Sequence, residues 1–188
     1  KEFFFEEIFF SEECMNHIQS GRMQIFIDNG SENLLLATAG DIGKFRNQID
    51  NRAQDKSSIY GKIISINLKT YSHEIYSMGH RNILGLYADK DLILSTENGP
   101  RGGDEINKIL KNKNYGWNIS SYGEAYGDNA HSKVDYLKNH EIHGFEEPIF
   151  SFVPSIGISE IIKINNDFSI HWEDNFLIGS LNSKHLYR

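Results

Sequence analysis

Two short motifs carry residue types that can hold a ligand. In Gly79-His80-Arg81-Asn82 a guanidinium stands beside a carboxamide. The guanidinium fork pairs bidentately with a carboxylate and the amide offers a donor and an acceptor together, so Arg81 and Asn82 suit a planar anionic or quinone ligand. Tying two sheet units together is the structural alternative for Arg81. In Glu97-Asn98-Gly99-Pro100, glycine lets the chain present main-chain carbonyls at unusual angles, and hard cations such as calcium take several oxygen ligands. Taken alone, the same four residues are also an ordinary turn. Asp104 and Glu105 follow in a strand-like run and so face opposite sides of it. At most one shares a side with the turn, and one is predicted to accept hydrogen bonds from backbone amides.

Histidines supply the other candidates. His17, ahead of Gln19-Ser20-Gly21-Arg22, can serve as a general base, because an imidazole titrating near about 6.5 suits proton abstraction at neutral pH once oriented. A surface or structural histidine is the plainer reading. His140 and His143 have a spacing that binds metals on a helix, but they lie in a loop-like stretch without a third ligand. They are set aside as metal ligands.

The elements that must position these residues are strands. β-Branched and aromatic runs at 23–28, 34–39, 62–68 and 75–78 are bounded by Gly, Asn and Asp. A second set is predicted at 84–87, 92–96, 105–110 and 115–120, and a third at 158–164, 176–179 and 185–187. In each set an apolar strand ending in small or hydroxyl residues precedes a strand of alternating character. Units of roughly 40 to 50 residues with four strands each suit propeller blades. The predicted fold class is all-β, a β-propeller of which this chain covers about three to four blades. The polar runs 48–58 and 123–147 read as long loops, which in a β scaffold often carry function.

Composition narrows the partners. The 188 residues could form one domain with a sizeable core, and the expectation is one partial propeller domain over 1–188. With 26 acidic against 19 basic residues the net charge is -7, which disfavours nucleic acid, because binding a phosphate backbone needs clustered Lys and Arg. Cys14 is the single cysteine, so no intrachain disulfide can form. No apolar run is long enough to cross a bilayer as a helix, and the acid-broken opening 1–10 is unlike a signal peptide. Both ends read as mid-domain sequence, which suggests a piece of a longer protein.

In combination the motifs resemble a known family. Gly79-His80-Arg81-Asn82, Glu97-Asn98-Gly99-Pro100, Gly103-Asp104-Glu105-Ile106-Asn107 and Asn114-Tyr115-Gly116-Trp117 look like the signature of the glucose/sorbosone dehydrogenases, the soluble quinoprotein sugar dehydrogenases. Weaker pieces agree in order: His17-Ile18-Gln19-Ser20-Gly21-Arg22, Gly40-Asp41, Ala53-Gln54 and Gly61-Lys62 upstream, then Val153-Pro154-Ser155 and Asn175 onward. The resemblance implies a six-bladed propeller that binds pyrroloquinoline quinone (PQQ) and calcium and oxidises an aldose at C1 to the lactone, passing electrons to an external acceptor.

On that basis His17 and Arg81 are the catalytic candidates, Arg81, Asn82 and Ser155 contact the quinone, and the Gly99 and Pro100 carbonyls ligate calcium. His17 would take the anomeric hydroxyl proton. The family's periplasmic or secreted location is the expected compartment. The sequence departs from the family at Ile18, where the histidine usually stands, at Val153 in place of a stacking tryptophan, and at Asn182 in place of a lysine. The linker 67–72 is also short, and the family's later cofactor arginines would lie beyond Arg188. The competing reading is a non-catalytic calcium-binding propeller that binds a carbohydrate or protein partner. Three blades and a fragment leave open strand edges, so further chain, a homo-oligomer or a rearranged closure would complete the ring.

Overall fold

The computed structural model describes residues 2–11, 20–40, 51–126 and 135–188. The described strands are β1 (Met23–Asp28), β2 (Ser31–Ala37), β3 (Lys62–Asn67), β4 (His73–Met78), β5 (Ile83–Ala88), β6 (Ile93–Glu97), β7 (Asp104–Lys108), β8 (Lys113–Asn114), β9 (Phe150–Phe152), β10 (Ile158–Lys163), β11 (Phe176–Ser180) and β12 (Leu186–Tyr187). They form three sheets, ordered β1-β2-β3-β4-β8, β5-β6-β7-β9 and β10-β11-β12. Apart from β8, which runs parallel to β4, every pairing is antiparallel. These are successive blades of a β-propeller.

Local sequence explains the winding. Asn29 and Gly30 both adopt positive φ, 50° and 79°, as a tight two-residue hairpin requires, and they join β1 to β2 in the register Ile25↔Leu34. β2 then alternates, burying Asn33, Leu35 and Ala37 on one face. Leu35 and Ala37 join Phe26, Ile63, Tyr76, Ile83, Leu86 and Ile93 in a core between the first two sheets. A second core of Leu94, Ile158, Ile161 and Ile178 fills the space between the second and third. Full burial of one such aliphatic side chain stabilises by about 2 kcal/mol.

The opening strands β1, β5 and β10 lie side by side. Because successive strands reverse, the described connecting residues 38–40, 51–61, 79–82, 98–103, 153–157 and 181–185 gather at one end of the sheets. The turns 29–30, 68–72 and 89–92 lie at the other.

Two expectations are corrected. Residues 115–120 are not a strand: after the two-residue β8 the chain turns at Gly116 (φ 90°), and Trp117 N–H donates to the Gly79 carbonyl. The last strand of the second sheet is instead β9, Phe150-Ser151-Phe152, three residues closed in between Pro148 and Pro154 and too short to stand out as a run. The 123–147 run holds only isolated bridges and one 3-10 turn, Glu141–His143, among its described residues.

Candidate functional site

The turn 79–82 links β4 to β5, and the turn 98–103 links β6 to β7. Three hydrogen bonds join the first turn to the second and to Glu97, the last residue of β6 before it. The Arg81 main-chain N–H donates to Glu97 Oε1, Arg81 Nη1 donates to the Asn98 carbonyl at 2.8 Å, and Asn98 N–H donates to the Asn82 carbonyl at 3.0 Å. Arg81 is only 7% exposed, and its guanidinium lies 5.2 Å from the centre of the Trp117 ring. Arg81, Glu97, Asn98, Gly99, Glu105, Trp117, Ser120 and Ser121 line a cavity of about 10 Å³, room for about one water.

The carbonyl-bearing turn is tightly coiled. A Cβ on Gly99 would lie 2.2 Å from the carbonyl oxygens of both Gly102 and Gly103, so no other residue fits there without moving backbone. Asp104 fixes the coil: Oδ1 accepts from Gly99 N–H at 3.1 Å, while Oδ2 accepts from the Ser155 hydroxyl at 2.6 Å and from Ile158 N–H at 2.9 Å. Asp104 is thus the carboxylate that serves backbone amides, and Glu105 faces the cavity. Ser155 Oγ also accepts from Gly157 N–H at 3.1 Å, and its neighbour Val153 is exposed. Asn182 Nδ2 donates to the Ser155 carbonyl at 3.3 Å.

Behind the turns sits a buried titratable group of side chains that sequence reasoning gave no role. His80, fully buried, stacks on Tyr115 with ring centres 4.7 Å apart, and its nitrogens lie 3.2 Å from Glu97 Oε2 and 2.8 Å from Ser77 Oγ. Burial pushes the Glu105 carboxyl well above the usual carboxylate range, and the nearby Glu97 charge adds to the rise. His140, stacked on Tyr122, lies 3.7 Å from Glu105, and burial pushes its pKa down. The only hint in sequence was the density of polar residues within strands.

Support for Trp117 comes from farther away. Lys62 is fully buried, and its ammonium donates to the carbonyls of Arg52, Ala53 and Tyr60, which satisfies a charge otherwise costly to bury. This anchors the 3-10 turn Asn51–Gln54. Gln54 Nε2 donates to the Trp117 carbonyl and, at 3.2 Å, to Asn114 Oδ1, while Asn114 Nδ2 donates back to Gln54 Oε1 at 2.7 Å.

The structure thus brings together Arg81, Asn82, Gly99, Pro100 and Ser155, five of the six sequence candidates. His17 lies outside the described residues. By chemical type alone the donor set suits an anionic quinone with a hard cation, a guanidinium for a carboxylate and main-chain oxygens for a metal. Among the described residues no group of three or more His, Cys, Asp or Glu side chains is arranged to hold a metal. The Pro100 carbonyl accepts from the Tyr126 hydroxyl at 2.8 Å and keeps a second lone pair.

Comparison with known proteins shows the family to which the chain belongs. The glucose/sorbosone dehydrogenase family pattern matches residues 4–188. The aldose sugar dehydrogenase YliI of Escherichia coli K12 is 32% identical over 166 residues, covering 87% of this chain and 43% of that protein. Quinoprotein glucose dehydrogenase B of Acinetobacter calcoaceticus is 34% identical over 139 residues, covering 58% of this chain and 28% of its own. Among solved structures, the soluble aldose sugar dehydrogenase of Escherichia coli in its apo-form superposes with a TM-score of 0.72 at 27% identity, over 90% of this chain and 50% of that one. The chain spans half or less of the length of these relatives.

Proposed function

Because the chain belongs to the glucose/sorbosone dehydrogenase family, we propose that the protein containing it is a quinoprotein aldose sugar dehydrogenase. It oxidises an aldose at C1 to the lactone and passes the electrons to an external acceptor. Bound PQQ would supply a two-electron hydride acceptor, and bound calcium a Lewis acid. The chain's own residues bind and orient. Arg81 would pair with a quinone carboxylate, Asn82 and Ser155 would supply further polar contacts, and the Gly99 and Pro100 carbonyls would hold calcium. Trp117 keeps water from one side of the guanidinium. His17 holds the anomeric hydroxyl proton as base.

The observation that carries this reading is the closure of the two turns upon each other, Arg81 Nη1 to the Asn98 carbonyl at 2.8 Å, which sets a cation beside an oxygen-rich coil. Relatives named aldose sugar dehydrogenase and quinoprotein glucose dehydrogenase support it. A periplasmic or secreted location belongs to the same proposal.

The test is reconstitution of the full-length protein with PQQ and calcium, followed by assay of artificial-acceptor reduction with a panel of aldoses. Reduction that needs both additions is the expected result. A folded sample that reduces no acceptor with any aldose rejects the enzyme and leaves the non-catalytic binding propeller.

A further inference from the structure

We propose that Glu97 is a positioning residue whose buried carboxylate fastens the turn bearing Arg81 to the turn bearing the Gly99 and Pro100 carbonyls, coupling affinity for an anionic quinone to affinity for a divalent cation. The inference rests on the reading of those turns given above and adds to it the side chain that links them.

The geometry is two-sided. Glu97 Oε1 accepts the Arg81 main-chain N–H, and Oε2 lies 3.2 Å from His80 Nδ1. With the proton on Nδ1, His80 donates to Glu97 and its Nε2 accepts from the Ser77 hydroxyl at 2.8 Å. Tyr115, stacked on the imidazole, holds that ring in place. The carboxylate is therefore held from β4 through Ser77 and His80, and it is the last residue of β6. The next residue, Asn98, donates its main-chain N–H to Asn82, accepts from the Arg81 guanidinium, and sends Nδ2 to the Ile158 carbonyl at 2.8 Å in the third sheet. Gly99 and Pro100 follow directly.

Any shift of Glu97 thus moves both halves of the site. An ionised carboxylate meets two donors at once, whereas an amide has one acceptor oxygen and a donor that would confront one of them. Alanine would leave the Arg81 N–H and the His80 ring without their partner in a buried place. A residue that served the fold alone would lower stability without joining the two affinities.

The experiment has two arms, both on full-length protein. In the first, ligand-free protein carries 15N-arginine, and the Arg81 side-chain signal is assigned through Arg81→Lys. Wild type is expected to show hindered rotation of the guanidinium, and Glu97→Ala free rotation. A hindered signal in folded Glu97→Ala overturns the positioning role, whatever the protein binds. In the second, calcium chloride alone, and PQQ with and without calcium, are titrated calorimetrically.

Glu97→Ala is expected to weaken both ligands about tenfold and to abolish the gain in quinone affinity that calcium gives. Arg81→Lys is expected to weaken the quinone alone. Loss confined to one ligand in Glu97→Ala overturns the coupling. If that variant does not fold, Glu97→Asp, which keeps the charge but shortens its reach, is expected to show smaller losses of both, and wild-type behaviour in it overturns the proposal. Failure of wild type to bind either ligand rejects the functional reading and the coupling with it, while the first arm still decides whether Glu97 holds Arg81.

Discussion

The two ends of the sheets use the same short polar side chains in opposite ways. At the hairpin end, Asn67 Oδ1 accepts from Lys69 and Thr70 N–H, and Asp89 Oδ1 accepts from Asp91 and Leu92 N–H, all within three residues of sequence. At the other end, Asp104 reaches Ser155 and Ile158, 51 and 54 residues away, and Asn98 reaches Ile158, 60 residues away. The first group caps turns that water can also satisfy. The second replaces water at buried amides and joins one sheet to the next. A polar residue therefore matters here less by its type than by which strands its partners belong to.

The sharpest break of that contrast is Asp104→Ala. It strands the half-buried amide of Gly99 and the buried amide of Ile158, and a loss of about 3 kcal/mol in denaturant unfolding is expected. A loss no larger than that of a hairpin-end carboxylate would erase the distinction. Next comes Gly103→Ala, where φ is 66° and the added Cβ would lie 2.2 Å from Gly123 N. Strain and displacement together should destabilise by about 2 kcal/mol, with the site turn itself distorted; an unchanged melting temperature would show that the coil is not rigid.

Glu105→Gln tests the cavity by pH. The folded-state pKa of Glu105 is raised, so its contribution is fully present below the unfolded value of about 4.3 and is lost as pH rises through the folded one. The Gln variant lacks this loss and should gain on wild type as pH climbs above that lower limit. A stability difference flat with pH would mean that Glu105 ionises as an ordinary surface carboxylate. The smallest effect belongs to the hairpin end: Asp89→Ala should cost about 0.5 to 1 kcal/mol, measured in the same unfolding assay as Asp104→Ala.

Much of the scaffold was legible along the chain. The opening strands followed from their β-branched and aromatic runs bounded by Gly, Asn and Asp, whereas the two-residue turn Asn29-Gly30 that pairs β1 with β2 was not singled out. β9 escaped because the alternation of Phe150-Ser151-Phe152 is too short to stand out, and 115–120 misled because Tyr115 and Trp117 are aromatics that pack against His80 and Arg81 rather than pleat a sheet. Within the site, Arg81, Asn82 and the Gly99-Pro100 coil stood out by type and spacing. Glu97 and His80 did not, since an acid at a strand end and a histidine in a turn ordinarily face solvent.

By itself the sequence determined an all-β meander with turns at defined places, because alternation and turn chemistry act over a few residues. It also determined that a guanidinium and an amide stand in one turn and a glycine-proline bend in another. Tertiary structure alone decided that these turns close upon each other, that Asp104 rather than Glu105 serves the amides, and that Glu97 is buried between Arg81 and His80. Those outcomes depend on desolvation and on hydrogen bonds between residues far apart in the chain, and neither leaves a local pattern to read.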